Sequence, residues 1–128
     1  MILLKFWKPI IFALIIFIGS ISSSSELNKI PFLSIPNIDK IIHFMLYFIL
    51  TVLLFSSMYK TNSTLVSSKK IIALICVFGY GLFLELMQFV VTLDRSAEYL
   101  DFISNCLGAI CGFFLFPFIL KLKISKWL

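Results

Sequence analysis

The stretch that decides the fold is Asp39–Phe55, DKIIHFMLYFILTVLLF, a long apolar run that opens with an aspartate, a lysine and a histidine. An aspartate and a lysine at such a boundary are typical of the end of a membrane span, where charged side chains reach water. His43 follows them, inside the apolar run, where an ionisable side chain is costly without a partner. This stretch therefore predicts a membrane helix and also a polar contact within it.

Composition assigns the whole chain to a lipid bilayer. Of the 128 residues, 61% are hydrophobic and 13% are charged, and the mean hydropathy is +1.10. In a typical soluble domain, about a quarter of the residues are charged. The net charge of +5 does not indicate nucleic acid, because the basic residues lie at the ends of apolar runs rather than on one polar face. We predict one membrane domain over residues 1–128 and no nucleic-acid partner.

Four apolar runs predict an all-α fold, a polytopic membrane protein built as a four-helix transmembrane bundle. A bilayer core about 30 Å thick needs roughly 20 helical residues. The predicted helices cover residues 7–22, 40–59, 70–92 and 99–120. The first run is the weakest, because its most hydrophobic part has the length of a signal-peptide core and small residues follow it. A retained helix and a cleaved signal peptide both stay open for this run.

The lysines predict the direction of the helices. If the chain crosses the membrane four times, eight of its eleven basic residues fall on one side. The positive-inside rule makes that side the cytoplasm. These residues are Lys5, Lys8, Lys60, Lys69, Lys70, Lys121, Lys123 and Lys126. We therefore predict a bacterial cytoplasmic-membrane protein with both termini inside.

Direction converts sequence position into depth. At 1.5 Å per helical residue, His43 lies about 6 Å deeper than Asp39. By the same rule, Glu85 lies about 12 Å below the outer end of the third helix, and Asn105 lies about 10 Å below Glu98. Three helices thus bring polar side chains into the same outer half of the membrane.

Helical spacing places the polar side chains on shared faces. These faces comprise Asp39, His43 and Tyr47 on the second helix, Glu85 and Gln88 on the third, and Asp101, Asn105, Gly108 and Gly112 on the fourth. The Gly108-x-x-x-Gly112 pair lets another backbone approach closely, so this face should meet protein rather than lipid. The polar residues on the same stripe should then point into the bundle.

In this order and at these spacings, the residues resemble the VanZ-like family of membrane proteins. The pattern runs Asp39-Lys40-x-x-His43-Phe44-x-x-Tyr47, then Glu85-x-x-Gln88, Arg95, Asp101, Asn105, Gly108 and Gly112. One departure is local, since Leu93-Asp94 stands where the family often has Pro-Gly. The family is named for a member associated with low-level resistance to teicoplanin, a glycopeptide antibiotic that acts on cell-wall precursors outside the membrane. The resemblance thus implies a cell-envelope role on the outer side, without a settled reaction.

Candidate roles follow from side-chain chemistry. Proton handling makes His43, Glu85 and Asp101 the catalytic candidates. Substrate-binding candidates are Lys40, Gln88, Arg95 and Asn105, with the two cations suited to a phosphate or another anionic head group. Structural candidates are Asp39, Tyr47, Gly108 and Gly112. We expect Asp39 to cap the second helix and Lys40 to reach up to the lipid head groups.

Two functions of different classes remain open. The first is an enzyme or lipid-modifying protein whose outer-leaflet cleft holds a lipid-linked or anionic head group. The second is a non-catalytic module whose polar network locks the bundle or binds a lipid or a partner protein. Transport ranks third, because four short helices enclose no obvious path. We predict no metal and no cofactor, because one histidine with several carboxylates is a poor zinc set and phosphate-loop and nucleophile-elbow motifs are missing.

Overall fold

The helical architecture is visible in a computed structural model that describes residues 3–21, 37–62, 65–91 and 99–122. Within these ranges the chain forms a short 3₁₀ turn, Leu3–Lys5, and four α-helices. The helices are α1 (Trp7–Ile21), α2 (Ile38–Thr61), α3 (Ser67–Val91) and α4 (Tyr99–Ile119). The described ranges contain no strand, which confirms the all-α class.

The helix ends agree with the predicted ones to within three residues. The largest difference is at the start of α3, where the helix already includes Ser67 and Ser68. Hydropathy marks only the part of a helix that suits hydrocarbon, whereas backbone hydrogen bonds continue through polar residues at the membrane surface. The apolar runs therefore predicted the helices correctly and placed some of their ends too far inward.

The start of α2 differs from the sequence-based expectation. Its N-cap is Asn37, whose backbone is left-handed (φ 62°, ψ 9°) and whose side chain makes no capping hydrogen bond. Asparagine tolerates this conformation better than most residues. The predicted capping role of Asp39 was wrong, because Asp39 lies in the first turn of the helix. There its carboxylate still lies near the positive end of the helix dipole.

Close packing of α2 against α4 organises the bundle. A Cβ atom built on Gly108 would lie 2.0 Å from the carbonyl oxygen of Phe44, and one built on Gly112 would lie 3.0 Å from Cβ of Thr51. The predicted close approach at the two glycines is confirmed. Because contacts advance along both helices in the same direction, α2 and α4 run parallel.

Apolar side chains fill the half of the bundle that contains the end of α2. Val52, Phe55, Ala73 and Phe116 form a buried cluster there. The rings of Phe55 and Phe116 meet edge to face, with 5.5 Å between their centroids. Such pairs add to the gain from close packing. This half of the structure is therefore held by shape and dispersion.

The first helix packs against α2 and α3. Ile16 is 4% exposed within the core, and the hydroxyl of Tyr80 donates a 2.6 Å hydrogen bond to the carbonyl oxygen of Ala13. Before α1 begins, Nζ of Lys5 donates to the carbonyl oxygen of Lys60 at 2.8 Å. The start of α1 thus lies at the same end of the bundle as the end of α2, and these two helices run antiparallel.

Length and composition identify membrane helices. Three helices, α2, α3 and α4, are long and apolar enough to cross a bilayer. The apolar helix α1 has 15 residues, fewer than a full crossing requires. Large apolar side chains also face outward, with Val90 75%, Phe114 65% and Ile72 61% exposed. Lipid is the solvent that suits such surfaces, so the chain is a membrane protein.

A substitution at Gly108 tests the helix contact. We expect Gly108→Ala to destabilise the bundle by about 1–3 kcal/mol, because the added methyl group meets backbone that has no rotamer to change. Gly79→Ala is the matched control, since nothing lies within 4 Å of a Cβ atom at that position. Thermal unfolding in detergent should give a lower midpoint for Gly108→Ala and an unchanged or higher midpoint for Gly79→Ala. Equal midpoints would show that the two helices do not touch at Gly108.

Candidate functional site

Three helices place a cluster of polar side chains at one end of the bundle. The cluster, called the polar site below, consists of Lys40, His43, Glu85, Gln88, Asp101 and Asn105. The starts of α2 and α4 meet the end of α3 here, because α3 follows α2 after a short connection and returns along it. As whole residues, four members of the polar site are at most 6% exposed: Glu85, Gln88, Asp101 and Asn105. Polar groups at this depth require polar partners.

Lys40 joins two of these helices through an ion pair. Its Nζ lies 3.0 Å from Oδ1 of Asp101 on α4 and 2.8 Å from Oδ2 of Asp39 on α2. The side chain of Lys40 is 18% exposed, and that of Asp101 is 6% exposed. The expectation that Lys40 reaches up to the head groups was wrong, because a buried carboxylate in a medium of low dielectric attracts the ammonium more strongly. Lys40 thus belongs to the wall of the site.

Asn105, on α4, contacts both α2 and α3. Its side-chain Nδ2 donates a long, 3.5 Å hydrogen bond to Oε1 of Glu85, and its Oδ1 lies 2.9 Å from Nδ1 of His43. The amide nitrogen of Asn105 donates to Glu85, and its amide oxygen, which can only accept hydrogen bonds, faces His43. Nδ1 of His43 must then carry the proton and donate it. Glu85 therefore sets the tautomer of the histidine through the amide between them.

The second ring nitrogen of His43 faces another carboxylate. Its Nε2 lies 3.8 Å from Oδ2 of Asp101, and its Nδ1 lies 3.9 Å from Oε1 of Glu85. Both separations exceed a hydrogen bond. With the proton on Nδ1, Nε2 carries a lone pair directed toward the Asp101 side of the site. The ring thus stands between two carboxylates from two different helices.

Tyr47 lies one helical turn deeper on the same face of α2 as His43. It is 1% exposed, and its hydroxyl has no hydrogen-bond partner among the described residues. A methyl group at Gly81 would lie 3.4 Å from this hydroxyl, so the phenol packs against α3 one turn below Glu85. From the sequence, Tyr47 was predicted to have a structural role. The structure adds a buried polar atom at the floor of the polar site.

The polar contacts described above do not involve the remaining predicted site residues. Arg95 falls in residues 92–98, which the structure does not describe. Gln88 is 2% exposed and sits one turn from Glu85 on the buried face of α3. Gly108 and Gly112 serve the packing of α4, as their spacing predicted. The roles assigned to the individual residues stay predictions.

Comparison with known proteins supplies the family. A model of the VanZ/LLP1 family matches residues 3–121, a range that includes the whole polar site. The chain belongs to the VanZ/LLP1 family. No curated protein and no solved structure matches it. The VanZ-like resemblance found in the sequence is therefore confirmed, and the chemistry of this family member has to be argued from its own residues.

The polar site of this VanZ/LLP1 protein has graded access. Lys40 and His43 are 18% and 14% exposed at their side chains, whereas Glu85 and Asp101 are 7% and 6% exposed. A ligand arriving from the surrounding medium would first meet an ammonium and an imidazole. The imidazole can accept a proton through Nε2. The arrangement is thus suited to binding a polar group and moving a proton.

Proposed function

We propose that this VanZ/LLP1 protein binds the phosphate-bearing head group of a membrane lipid or lipid-linked envelope precursor in the polar site. The observation that carries the proposal is the convergence of Lys40, His43 and Asp101 from two helices, with the cation and the imidazole at the more exposed edge. Buried ionisable groups at membrane depth are costly, and they persist chiefly where they serve a pathway or a ligand. A lipid head group is the polar ligand that reaches such a depth.

The proposed orientation opens the polar site to the outer leaflet of the bacterial cytoplasmic membrane. Lys5 and Lys60 share the opposite end of the bundle, where their contact joins the start of α1 to the end of α2. Lys69 and Lys70, in the first turn of α3, lie at that same end. The positive-inside rule assigns this end to the cytoplasm. In this arrangement α1 is a short fourth crossing and both termini are cytoplasmic.

Within the site, each side chain has a distinct task. Lys40 supplies the positive charge for a phosphate oxygen, and Arg95 is a second candidate cation at the same membrane side. His43 accepts a hydroxyl or water proton through Nε2, while Asn105 holds the ring. Loss of one charge-assisted hydrogen bond costs about 1.5–3 kcal/mol. In the enzymatic form of this proposal, proton transfer leads to a covalent change in the lipid.

A non-catalytic lock is the second candidate, and one observation favours it. Asn105 contacts both His43 on α2 and Glu85 on α3, so a single amide ties three helices together. Interhelical hydrogen bonds in membrane proteins contribute about 0.6–2 kcal/mol each. In that case the polar site stabilises the bundle, and the envelope effect arises from the protein's presence or from a partner protein.

Lipid occupancy separates the two candidates. We expect native mass spectrometry of the purified protein to show a retained phosphate-bearing lipid, with tenfold lower occupancy in Lys40→Met because a charge-assisted contact is lost. Ser104→Ala is the control, since its hydroxyl donates to the carbonyl oxygen of Leu100 on the same helix and the residue directly precedes Asn105. Mass spectrometry of envelope lipids from cells with and without the protein then reveals any covalent product.

The same measurements can reject head-group binding. Asp101→Asn and Glu85→Gln keep hydrogen-bonding capacity and remove charge. Equal lipid occupancy in Lys40→Met, Asp101→Asn and the wild type, together with lower unfolding midpoints of the charge variants, would favour the structural lock. Unchanged lipid profiles with normal occupancy would leave binding without modification as the function.

Orientation has its own test. A cysteine placed at Thr64, in the connection between α2 and α3, should react with an impermeant maleimide only after the cytoplasmic side is opened. Cys76, Cys106 and Cys111 are removed first, so that the new thiol is the one labelled. Labelling of residue 64 in intact cells would invert the orientation and place the polar site toward the cytoplasm.

A further inference from the structure

We propose that His43, Glu85 and Asp101 bind a divalent transition-metal ion, of the kind represented by Mn²⁺, between α2, α3 and α4. One ligand atom from each of these three residues lies within 4.8 Å of the other two. The sequence alone predicted no metal, because one histidine with several carboxylates is a poor zinc set. This inference stands independently of head-group binding, since the ion requires only the protein's own ligands.

The tautomer of His43 directs a donor into the centre of the group. Oδ1 of Asn105 accepts a hydrogen bond from the protonated Nδ1, which leaves the Nε2 lone pair for a metal. Histidines that bind metals usually donate their other N–H to an oxygen acceptor, which fixes the ring. Asp101 is divided in a similar way, with Oδ1 on Lys40 and Oδ2 toward Nε2. His43 and Asp101 thus each have one atom held by a neighbour and a second donor atom 3.8 Å from the other's.

The distances suit one shared ion better than one shared proton. A proton shared by nitrogen and oxygen requires about 2.7–3.0 Å between the two atoms. Two donors bound at about 2.0–2.2 Å to a tetrahedral ion lie roughly 3.3–3.6 Å apart. Nε2 of His43 and Oδ2 of Asp101 are separated by 3.8 Å. Metal binding therefore requires this pair to close slightly and the group as a whole to close from separations of up to 4.8 Å.

The donor set determines the class of ion. One imidazole nitrogen with two carboxylate oxygens is a mixed set, whereas Mg²⁺ and Ca²⁺ prefer oxygen alone. Imidazole suits first-row transition metals, and carboxylates extend that range to Mn²⁺. A divalent ion also offsets the repulsion between two carboxylates that are 7% and 6% exposed. Mn²⁺ is accordingly the probe of choice, with Zn²⁺ as the competitor.

A second observation points to a polar ligand at this place. The hydroxyl of Tyr47 is buried beneath the group and has no hydrogen-bond partner among the described residues. Leaving such a hydroxyl unsatisfied costs about 1–3 kcal/mol. A water bound to the ion would donate a hydrogen bond to the phenol oxygen, which can accept one. The metal group and the buried hydroxyl thus fit a single hydrated ion.

Mn²⁺ binding to the full-length protein in lipid nanodiscs tests the proposal. Electron paramagnetic resonance should show one Mn²⁺ bound per chain, displaced by Zn²⁺ and not by equimolar Mg²⁺. His43→Gln and Asp101→Asn should each raise the dissociation constant at least tenfold. Asp39→Asn is the control, because Asp39 contacts Lys40 in the same way but is 42% exposed and lies outside the three ligands.

Several outcomes would overturn the metal site. The metal site is ruled out if the wild-type protein binds no more Mn²⁺ or Zn²⁺ than the His43→Gln variant does. Equal weakening by Asp39→Asn and Asp101→Asn would indicate attraction to surface charge instead. Circular dichroism checks that each variant is folded, and Glu85→Gln replaces any variant that is not. Lipid occupancy is measured without added metal, so failure of one proposal does not decide the other.

Discussion

The approach of α4 to the backbone of α2 at Gly108 is the constraint on which the rest of the structure depends. Only a glycine leaves room for the carbonyl of Phe44 at this point. Phe44 follows His43 directly, and Asn105 lies one turn before Gly108 on the same stripe. The backbone contact therefore sets the 2.9 Å distance between the imidazole and the amide. In a bilayer, where burial of apolar surface does not drive helices together, such close packing has to do so.

The two halves of the bundle use different forces as a result. One half, around Phe55 and Phe116, relies on interlocking apolar side chains. The other half holds charges that would be unfavourable in lipid, and each charge is tied to a group on a neighbouring helix. This division gives the membrane protein a rigid base and a polar end. A polar end held this firmly can present an imidazole lone pair in one direction.

Much of this arrangement could be predicted from the sequence. Long apolar runs identified the helices, and the Gly108 and Gly112 spacing identified the face that meets protein. Depth along three helices indicated that His43, Glu85 and Asp101 would meet. Sequence periodicity does not define side-chain direction, however, so the turn of Lys40 toward Asp101 and the position of Asp39 inside the first turn were missed. Sequence periodicity also does not give distances between helices, so it could not show how closely the ligand atoms of His43, Glu85 and Asp101 approach one another.

The central claim is that Glu85, through Asn105, fixes the proton of His43 on Nδ1 and directs Nε2 toward Asp101. The chain contains a single histidine, so ¹⁵N labelling of histidine gives the signals of one ring. In metal-free nanodiscs, the account predicts that the neutral ring carries its proton on Nδ1 and not on Nε2. It also predicts loss of this preference in Asn105→Leu, with Ser104→Ala unchanged. A neutral wild-type ring with its proton on Nε2, or identical spectra for Asn105→Leu and the wild type, would contradict the account.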